Sequence, residues 1–421
     1  MLKILMFKLK ILAKLTVKKY KPQIIGITGS VGKTSAKEAI YSVLASKFRV
    51  RRNVKNYNNE IGVPLTILGF TDSPGKNIWK WSWYFLVATK NLVITNKKYP
   101  EVLILEMGAD KPGDISYLTG IAKPSISLIT AIGHSHIESF GSIKNILQEK
   151  SKILDKLDKD DWAVLNFDDA NLVELIKNNK NKLKTFGQKI GADVHIYNIQ
   201  TSFRNNTYGV VFKLSHQGSE TPMWLPNVLG WQHAVAAAAA AAIGLALDMN
   251  LVDIGASLAS YHPANGRMRV LPGVKKSWVI DDTYNASPES SLAALEILAQ
   301  MPVEGRKIAV FGDMLELGSH TEAGHNQVGQ QLAKLKIDYL FVIGEKSRDI
   351  ARGAKEAGMS EDHIFHFPFT MEAGVFLQER MKEKDIVLIK GSRGAKMEQV
   401  VYEIMARPWD ANDLLVGPVE K

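Results

Sequence analysis

The stretch GITGSVGKTSAKEAI, residues 26–40, constrains the fold of this chain more than any other. It follows the apolar run QIIGI and leads into residues that favour a helix, so it predicts a strand, a glycine-rich turn and a helix. That order is typical of a phosphate-binding loop, in which backbone N–H groups and a helix N-terminus face an anion. The strict GxxxxGK[ST] spacing fails because residue 27 is isoleucine, and a glycine turn without a ligand is the alternative.

Within this loop, Lys33 would neutralise the terminal phosphates and Thr34 would ligate Mg²⁺. A phosphate loop alone does not separate a switch from a kinase or a ligase. The nucleotide-binding candidates in the loop are Thr28, Gly29, Ser30, Val31, Gly32, Lys33, Thr34 and Ser35.

Apolar runs that end in glycine or polar turns recur along the chain, with helical spacing between several of them. They predict an α/β fold: a phosphate-loop central domain on a mostly parallel sheet, and a C-terminal Rossmann-like α/β domain. A small antiparallel patch is expected at 190–225, and the Pro-Gly-Asn cluster at 261–268 marks a boundary. The predicted divisions are a basic helix at 1–21 and domains at 22–262 and 263–421. The runs are QIIGITGS, EVLILEMGA, SISLITAIG, WAVLNFDD, KIAVFGDM, YLFVIGE and DIVLIKGS.

Two further stretches have distinctive compositions. Residues 236–242 are seven consecutive alanines, which indicate a tightly packed helix rather than a low-complexity segment. Residues 77–96 contain three of the eight tryptophans. They predict a buried helix beside the sheet, with a membrane-interface segment as the alternative.

The charge is concentrated at the N-terminus. The chain carries a net +10, and residues 1–21 alone supply seven lysines and no acid. A nucleic-acid groove across the folded body is therefore disfavoured. Lysines fill one arc of the predicted first helix, and this pattern fits either peripheral contact with an anionic membrane or docking on the protein's own body.

The chain has no cysteine, so disulfides, zinc-thiolate sites and thiol catalysis are excluded. Glu106 and two histidines, His134 and His136, follow apolar strands, at the end where α/β sheets place their ligands. A carboxylate and a histidine there favour a Mg²⁺ site over isolated structural hydrogen bonds.

Seven motifs in order resemble the ATP-dependent Mur ligases over residues 22–400, and most resemble the branch that adds D-alanyl-D-alanine to a UDP-N-acetylmuramoyl-tripeptide. The resemblance implies that a peptide carboxylate attacks the γ-phosphate of ATP, and that an amine then displaces phosphate from the acyl phosphate. The motifs are TGSVGKTS, NYNNEIGVPLT, EMGADKPGDISYLT, GHSHIESFGS, DDTYNASPES, GDMLELG and KGSRGAKME.

By that resemblance, Lys33, Glu106, His136 and Lys150 are catalytic, and ATP and two Mg²⁺ ions are the cofactors. Thr34, Glu106 and His136 would hold metal, and a carbamylated Lys150 would help to hold the second ion. The alternative for Lys150 is an exposed helix lysine.

The same resemblance assigns further residues to ATP and to the substrates. In the C-terminal domain, the alternative for the Asp-Asp pair is a helix cap, and the alternative for the basic residues is a solvated face. The ATP candidates are His233, Arg267 and Asp282, with Asp281 as an alternative to Asp282. The substrate candidates are Asn58, Asn59, Tyr284, Asn285, Asp313, Glu316, Lys390, Ser392 and Arg393.

The match weakens at two places. Only about 21 residues precede the phosphate strand, where this branch carries a UDP-binding domain. Another acceptor is therefore an alternative. Folylpolyglutamate synthases are the competing enzyme class. His233 stands where an asparagine is usual, so adenine contact would differ.

A non-catalytic nucleotide-binding scaffold at the membrane is the alternative from another class. We expect a cytoplasmic monomer that binds ATP, a muramyl-peptide acceptor and D-Ala-D-Ala, and no nucleic acid.

Overall fold

The computed structural model describes residues 2–54, 57–133 and 137–418, without the side chains of Leu2, Lys3 and Glu138. The strands are β1 Gln23–Thr28, β2 Val50–Arg52, β3 Val102–Glu106, β4 Ile126–Ile129, β5 Trp162–Asn166, β6 Lys182–Gly187, β7 Val194–Arg204, β8 Thr207–His216, β9 Ser219–Pro226, β10 Arg269–Pro272, β11 Trp278–Asp282, β12 Lys307–Gly312, β13 Tyr339–Ile343, β14 Ile364–Phe367 and β15 Ile386–Lys390.

The α-helices alternate with these strands over most of the chain. They are α1 Leu2–Tyr20, α2 Lys33–Leu44, α3 Gly62–Leu68, α4 Ile78–Val93, α5 Asp114–Thr119, α6 Ile137–Phe140, α7 Ile143–Ser151, α8 Val173–Lys177, α9 Trp231–Ala246, α10 Leu251–Leu258, α11 Pro288–Gln300, α12 Thr321–Lys334, α13 Arg348–Glu356, α14 Thr370–Arg380, α15 Glu398–Ile404 and α16 Ala411–Leu414.

The chain forms two compact units that are not continuous in sequence. Unit 1 comprises residues 1–199, 211–225 and 232–262, and unit 2 comprises residues 200–210, 226–231 and 263–421. The division into functional domains at 22–262 and 263–421 stays a prediction.

The phosphate-loop strand β1 is an interior strand of the first sheet. Among the described residues this sheet has nine strands in the order β2-β3-β1-β4-β5-β6-β7-β8-β9. β1 pairs in parallel with β3 and β4, and the parallel pairing continues through β5 and β6 to β7. β1 is buried beyond its first residue and β3 throughout, as expected for parallel strands covered on both faces. The ends of β1, β3 and β4 therefore meet at one sheet edge.

The 190–225 region forms the far edge of this sheet. Two-residue turns join β7 to β8 and β8 to β9, and both residues of each turn have positive φ. Turns of this kind connect antiparallel strands in a hairpin, in agreement with the predicted patch. The turn residues are Asn205 and Asn206, then Gln217 and Gly218.

The second sheet lies in unit 2, with the order β10-β11-β15-β12-β13-β14 in the described residues. All pairs are parallel except β10–β11. Alternate residues of one strand enter different clusters: Leu388 packs with Leu295 of α11, whereas Val387 packs with Leu377 of α14. Helices therefore cover both faces, and the predicted α/β class is confirmed for both sheets.

The alanine run is confirmed as a packed helix, since Ala236 to Ala242 in α9 are each at most 5% exposed. A Cβ added at Gly244 of α9 would lie 3.1 Å from Val43 Cγ1 of α2 and 3.0 Å from Ile254 Cδ1 of α10. Only small side chains allow the helices to approach this closely.

The basic first helix docks on unit 1. Leu9, Ala13 and Thr16 on one face of α1 are buried, and α1 packs against α3 and α4. The aromatic helix α4 buries Trp81 and Tyr84 but leaves other apolar residues exposed, so the predicted buried helix holds for one face only, and the membrane-interface alternative stays a prediction. Within the described residues, every helix is too short or too polar to pass through a bilayer.

Candidate active site

The phosphate loop is fixed against the end of β4. Ser30 N–H donates to Ala131 O at 2.7 Å, and the Thr130 hydroxyl donates to Val31 O at 2.6 Å. Gly29 has φ 146°, and a Cβ there would collide with the Thr130 hydroxyl, so the turn requires glycine at this position. The loop backbone is thus held in one shape before any ligand arrives.

The helix after this loop begins without a side-chain cap. α2 starts at Lys33, and its N-cap residue Gly32 has φ 86°. The positive end of the α2 dipole therefore lies next to the loop, where it favours an anion. Lys33 Nζ folds back and donates to Gly29 O at 2.6 Å, which places its charge over the loop.

Glu106, at the end of β3, is the centre of a buried polar cluster. It is only 2% exposed. Its carboxylate accepts from the Thr34 hydroxyl at 3.2 Å and from Asn58 Nδ2 at 3.1 Å. The predicted residues Thr34, Asn58 and Glu106, from three separate motifs, are therefore brought together beside the phosphate loop.

Two residues of this cluster were missed by the sequence analysis. Lys37 Nζ lies 3.5 Å from Glu106 Oε2 and is 1% exposed. Asn53 Oδ1 accepts the backbone N–H of Glu106 at 2.6 Å and so fixes the end of β3. The signal for Lys37 was its helical spacing, since it follows Thr34 by three residues on α2 and faces the same way.

Lys150, near the end of α7, is 1% exposed, so the alternative of an exposed helix lysine is wrong. Burial, together with the positive charge of Lys33, lowers the pKa of Lys150 to about 8, although Asp110 and Glu149 act in the opposite direction. A substantial fraction of this side chain is therefore a neutral, nucleophilic amine near neutral pH.

The neighbouring Glu149 makes structural hydrogen bonds. Its carboxylate accepts the backbone N–H groups of Gly113 and Ile115 at 2.9 and 3.0 Å, at the start of α5. Burial acts to raise the pKa of Glu149, but hydrogen bonds from Lys152 and these two amides outweigh it and hold the pKa below its usual range. Glu149 thus stays ionised and ties α7 to α5.

The oxygen donors beside the loop fit a magnesium ion. The Thr34 hydroxyl and the Glu106 carboxylate are hard ligands 3.2 Å apart, of the kind that Mg²⁺ accepts together with phosphate oxygens. Among the described residues, no group of three His, Asp or Glu side chains could hold a metal. The predicted ligand His136, with His134, lies outside the described residues.

Two other candidates in unit 1 make structural contacts. Asn59 Oδ1 accepts the N–H groups of Ile61 and Gly62 at 3.2 and 2.9 Å, at the start of α3. His233 is buried in α9, with Nδ1 hydrogen-bonded to the Tyr261 hydroxyl at 2.9 Å. Their roles toward substrate and ATP stay predictions.

A second group of predicted residues meets inside unit 2. Lys390, 2% exposed at the end of β15, donates to Asp282 Oδ2 at 2.6 Å and to Asn285 O at 2.8 Å. The Arg267 guanidinium lies 4.1 Å from the centre of the Tyr284 ring. Five of the candidates therefore line the ends of β11 and β15.

Asp281, the neighbour of Asp282, is fully buried. Its Oδ1 accepts the Thr283 hydroxyl at 2.6 Å, whereas Oδ2 has no hydrogen-bond partner among the described residues. Burial raises the pKa of Asp281 to about 6, against the hydrogen bonds of Thr283, which lower it.

The remaining candidates of unit 2 support loops after β12 and β15. Asp313 Oδ1 accepts the Ser347 N–H at 2.8 Å, and Ser392 Oγ accepts the Leu315 N–H at 2.8 Å. Arg393 pairs with Glu398 at 2.7 Å. Glu316 is exposed, with φ 64°.

Comparison with known proteins decides the family. The Mur ligase middle domain matches residues 27–78 and 86–244, and the Mur ligase glutamate ligase domain matches residues 266–393. The chain belongs to the Mur ligase family. Members of that family are ATP-dependent ligases that form amide bonds.

Named relatives in this family share most of their length with the chain. The UDP-N-acetylmuramoyl-tripeptide–D-alanyl-D-alanine ligase of Bacillus subtilis is 29% identical over 94% of this chain and 79% of its own length. The enzyme of the same name from Buchnera aphidicola subsp. Baizongia pistaciae is 33% identical over 91% of this chain and 75% of its own. The crystal structure of MurF ligase from Thermotoga maritima in complex with ADP is 26% identical, with a TM-score of 0.74 over 97% of this chain and 84% of that one.

Proposed function

We propose that this Mur ligase joins D-alanyl-D-alanine to a UDP-N-acetylmuramoyl-tripeptide-type acceptor, with consumption of ATP, in the synthesis of the peptidoglycan precursor. The observation that carries the proposal is the cluster around Glu106, where Thr34, Lys37 and Asn58 converge beside a preformed phosphate loop. The names of the aligned relatives supply the two substrates.

The chemistry requires an anion to attack an anion. The acceptor carboxylate attacks the γ-phosphorus of ATP, ADP leaves, and an acyl phosphate forms. The free amine of the dipeptide then attacks the acyl carbon, inorganic phosphate leaves, and the amine gives up a proton as the amide forms. Both the phosphoryl transfer and the acyl transfer that follows gain from positive charge fixed in advance.

The residues of unit 1 supply that fixed charge. Lys33 and the backbone N–H groups at the start of α2 would face the terminal phosphates. Thr34 and Glu106 would hold Mg²⁺, which would neutralise the phosphate oxygens and polarise the transferred group. Lys37 and Asn58 orient the Glu106 carboxylate through their contacts of 3.5 and 3.1 Å. We propose that His136 adds a further metal ligand.

Lys150 would contribute through carbamylation. Only a neutral amine reacts with carbon dioxide, and burial makes about a tenth of the Lys150 amine neutral at pH 7, because its pKa is about 8. Reaction of the amine with carbon dioxide forms an N–C bond and releases one proton, which leaves a carbamate anion. That anion would replace an ammonium, which cannot ligate metal, with oxygen ligands for a second Mg²⁺.

In unit 2 we assign Tyr284 and Asn285 to the incoming dipeptide, with Lys390 acting on it through the loop that Lys390 holds, and Arg267 and Asp282 to the nucleotide. The support is that Lys390 and Asp282 form a buried pair that holds the Asn285 carbonyl, so the loop after β11 has a fixed shape. Asp313 and Ser392 fix adjacent loops in the same way, and Glu316 and Arg393 are the exposed candidates there.

The substrates of the proposed reaction are water-soluble, so we place the enzyme in the cytoplasm, with α1 available for peripheral contact with a membrane. We also propose that it acts as a monomer. Phosphate release from ATP and Mg²⁺ tests the activity. We expect release only when UDP-muramyl-tripeptide and D-Ala-D-Ala are both present, with the pentapeptide product seen by mass spectrometry.

Other results of that experiment favour other functions. Turnover with a folate and glutamate, but not with the muramyl substrate, would replace the acceptor and leave the family unchanged. ATP binding without phosphate release under any acceptor would contradict ligase activity and favour the nucleotide-binding scaffold.

A further inference from the structure

Helices α1 and α4 of unit 1 present an exposed apolar surface that the ligase chemistry does not use. We call it the α1/α4 surface. It consists of Ile4, Phe7, Ile11 and Leu15 on α1 with Trp79, Trp83, Leu86 and Val93 on α4.

On α1 this surface is a stripe opposite the docked face. The four apolar side chains are 63%, 62%, 41% and 46% exposed, and their spacing of three to four residues places them on one side of the helix. Leu9 and Ala13, both fully buried, lie on the other side. A helix that only covered the protein would need apolar residues on one side; α1 has them on two.

On α4 the arrangement repeats. Trp79 is 87% exposed, Trp83 and Leu86 are each 61% exposed, and Val93 is 79% exposed, again at helical spacing. Trp81 on the opposite face is 8% exposed. Large aromatic side chains left in water on one face of a helix are unusual, and indole rings favour the headgroup region of a bilayer.

The two stripes belong to adjacent helices. Leu9 of α1 and Trp81 of α4 are buried in the same cluster, together with Leu65 of α3. Lys19 Nζ of α1 also donates to the carbonyl oxygens of Asn91 and Leu92, at 3.1 and 3.0 Å. The exposed face of each helix therefore lies opposite one shared core, and both faces belong to the same part of unit 1.

The two segments that carry this surface have charges of one sign. Residues 1–21 and 73–98 hold twelve lysines and neither Asp nor Glu. The whole chain carries +10, so removing these twelve charges leaves −2 for everything else. Exposed lysines such as Lys14 and Lys18 on α1 and Lys90 on α4 flank the apolar residues, whereas Lys80 pairs with Asp72.

We propose that the α1/α4 surface binds the headgroup region of an anionic lipid bilayer, with the apolar stripes inserted among the acyl chains and the lysines at the phosphates. Apolar residues framed by lysines match a surface that is negative outside and apolar inside. A second copy of the chain would bring two lysine-rich faces together without a neutralising acid, so like-charge repulsion disfavours it. The inference concerns where the enzyme works, and it does not depend on the identity of the acceptor.

The test is cosedimentation of the full-length protein with vesicles of phosphatidylglycerol and phosphatidylcholine, or of phosphatidylcholine alone. We expect binding to the anionic vesicles that weakens as salt rises. The double variant Trp79→Ser/Trp83→Ser should partition about tenfold more weakly. The matched control is Trp409→Ser, since Trp409 is 74% exposed in unit 2 and should not matter.

A second pair of variants separates charge from apolar contact. Lys14→Glu/Lys18→Glu should abolish the preference for anionic vesicles, whereas Lys159→Glu/Lys180→Glu, at exposed lysines of unit 1 outside the surface, should retain it. The rate of phosphate release in vesicle-free solution and the melting temperature should be the same for all variants, because none of these residues contacts the phosphate loop.

Three results would overturn the proposal. One is equal vesicle binding by the wild type and the tryptophan double variant. Another is no binding to anionic vesicles at low salt. The third is a stable dimer in vesicle-free solution that the same tryptophan substitutions dissociate, which would assign the surface to a second copy. Vesicle binding without any ligase turnover would refute the proposed function and leave this inference standing.

Discussion

The two units use the same part of a parallel sheet in different ways. In unit 1, Thr28 and Glu106 end β1 and β3, and in unit 2, Asp282 and Lys390 end β11 and β15. The lysine of the phosphate loop, Lys33, donates to backbone carbonyls at a helix N-terminus. Lys390 is buried and donates to a carboxylate.

This difference separates a charge placed for a ligand from a charge placed for the fold. A lysine that contacts neutral carbonyls keeps its electrostatic attraction for an arriving phosphate. A lysine that is already paired with a carboxylate has most of its charge compensated and instead holds a loop in position. We therefore expect substitutions in the two units to change different properties of the enzyme.

The largest effect is expected from Lys33→Ala. Loss of the fixed charge over the phosphates should lower the rate of phosphate release by about 10²–10³-fold. The melting temperature should stay the same, since Lys33 donates to carbonyls that can turn to water. Lys47→Ala, at an exposed lysine just after α2, is the control that should keep full turnover. Full activity in Lys33→Ala would refute the role of the loop.

Lys390→Met should act on stability. The substitution leaves Asp282 without its partner, and the side chain of Asp282 is only 14% exposed. We expect a loss of about 2–3 kcal/mol in the free energy of unfolding by urea, at the low end for buried pairs because Asp282 is not fully covered. Lys346→Met, at an exposed lysine of the same unit, should change little. An unchanged unfolding curve for Lys390→Met would remove the distinction between the units.

Lys150 sharpens the comparison, because it is a lysine of unit 1 whose protonated form is disfavoured by burial. Burial lowers the pKa of Lys150 to about 8, so its neutral fraction should rise about tenfold per pH unit below that value. With ¹³C-bicarbonate we expect a carbamate NMR signal that grows between pH 6.5 and 8.5. Lys150→Arg should remove the signal, whereas Lys144→Arg, on the exposed side of α7, should not. A signal that survives Lys150→Arg belongs to another amine.

The smallest effect concerns Asp281 in unit 2. Burial raises the pKa of Asp281 to about 6, so its contribution to stability is full at low pH and is lost as the pH rises through 6. Asp281→Asn should therefore gain about 1 kcal/mol relative to the wild type between pH 5 and pH 8. Thermal melts at both pH values measure this difference, and any fixed cost of the new amide cancels in it. An equal effect at both pH values would show that Asp281 does not titrate in this range.

The sequence predicted the long apolar strands well. β1, β3, β4, β5, β12, β13 and β15 each lie within a predicted apolar run. Two of the strands outside those runs lack that pattern: β2 has three residues, VRR, and β6 reads KLKTFG, with lysines at alternate positions. Such strands form because neighbouring strands supply their hydrogen bonds, which no local pattern shows.

In the site, the sequence predicted residues with unusual chemistry at strand ends and missed residues whose importance comes from burial. Thr34, Asn58 and Glu106 were predicted and lie together. Lys37 looks like any helix lysine until the structure places it in the interior beside Glu106. The depressed pKa of Lys150 has the same origin, since burial depends on helices that pack from elsewhere in the chain.

The alanine helix also bears on catalysis at a distance. α9 touches α2 near Val43, ten residues beyond Lys33, which is roughly 15 Å along a helix axis. Because a helix is stiff, a displacement near its C-terminus can change the direction of its N-terminus. A methyl group added at Gly244 would have to displace Ile254 or Val43 by a few tenths of an ångström, and any tilt of α2 that followed would move the backbone N–H groups that we propose to face the nucleotide.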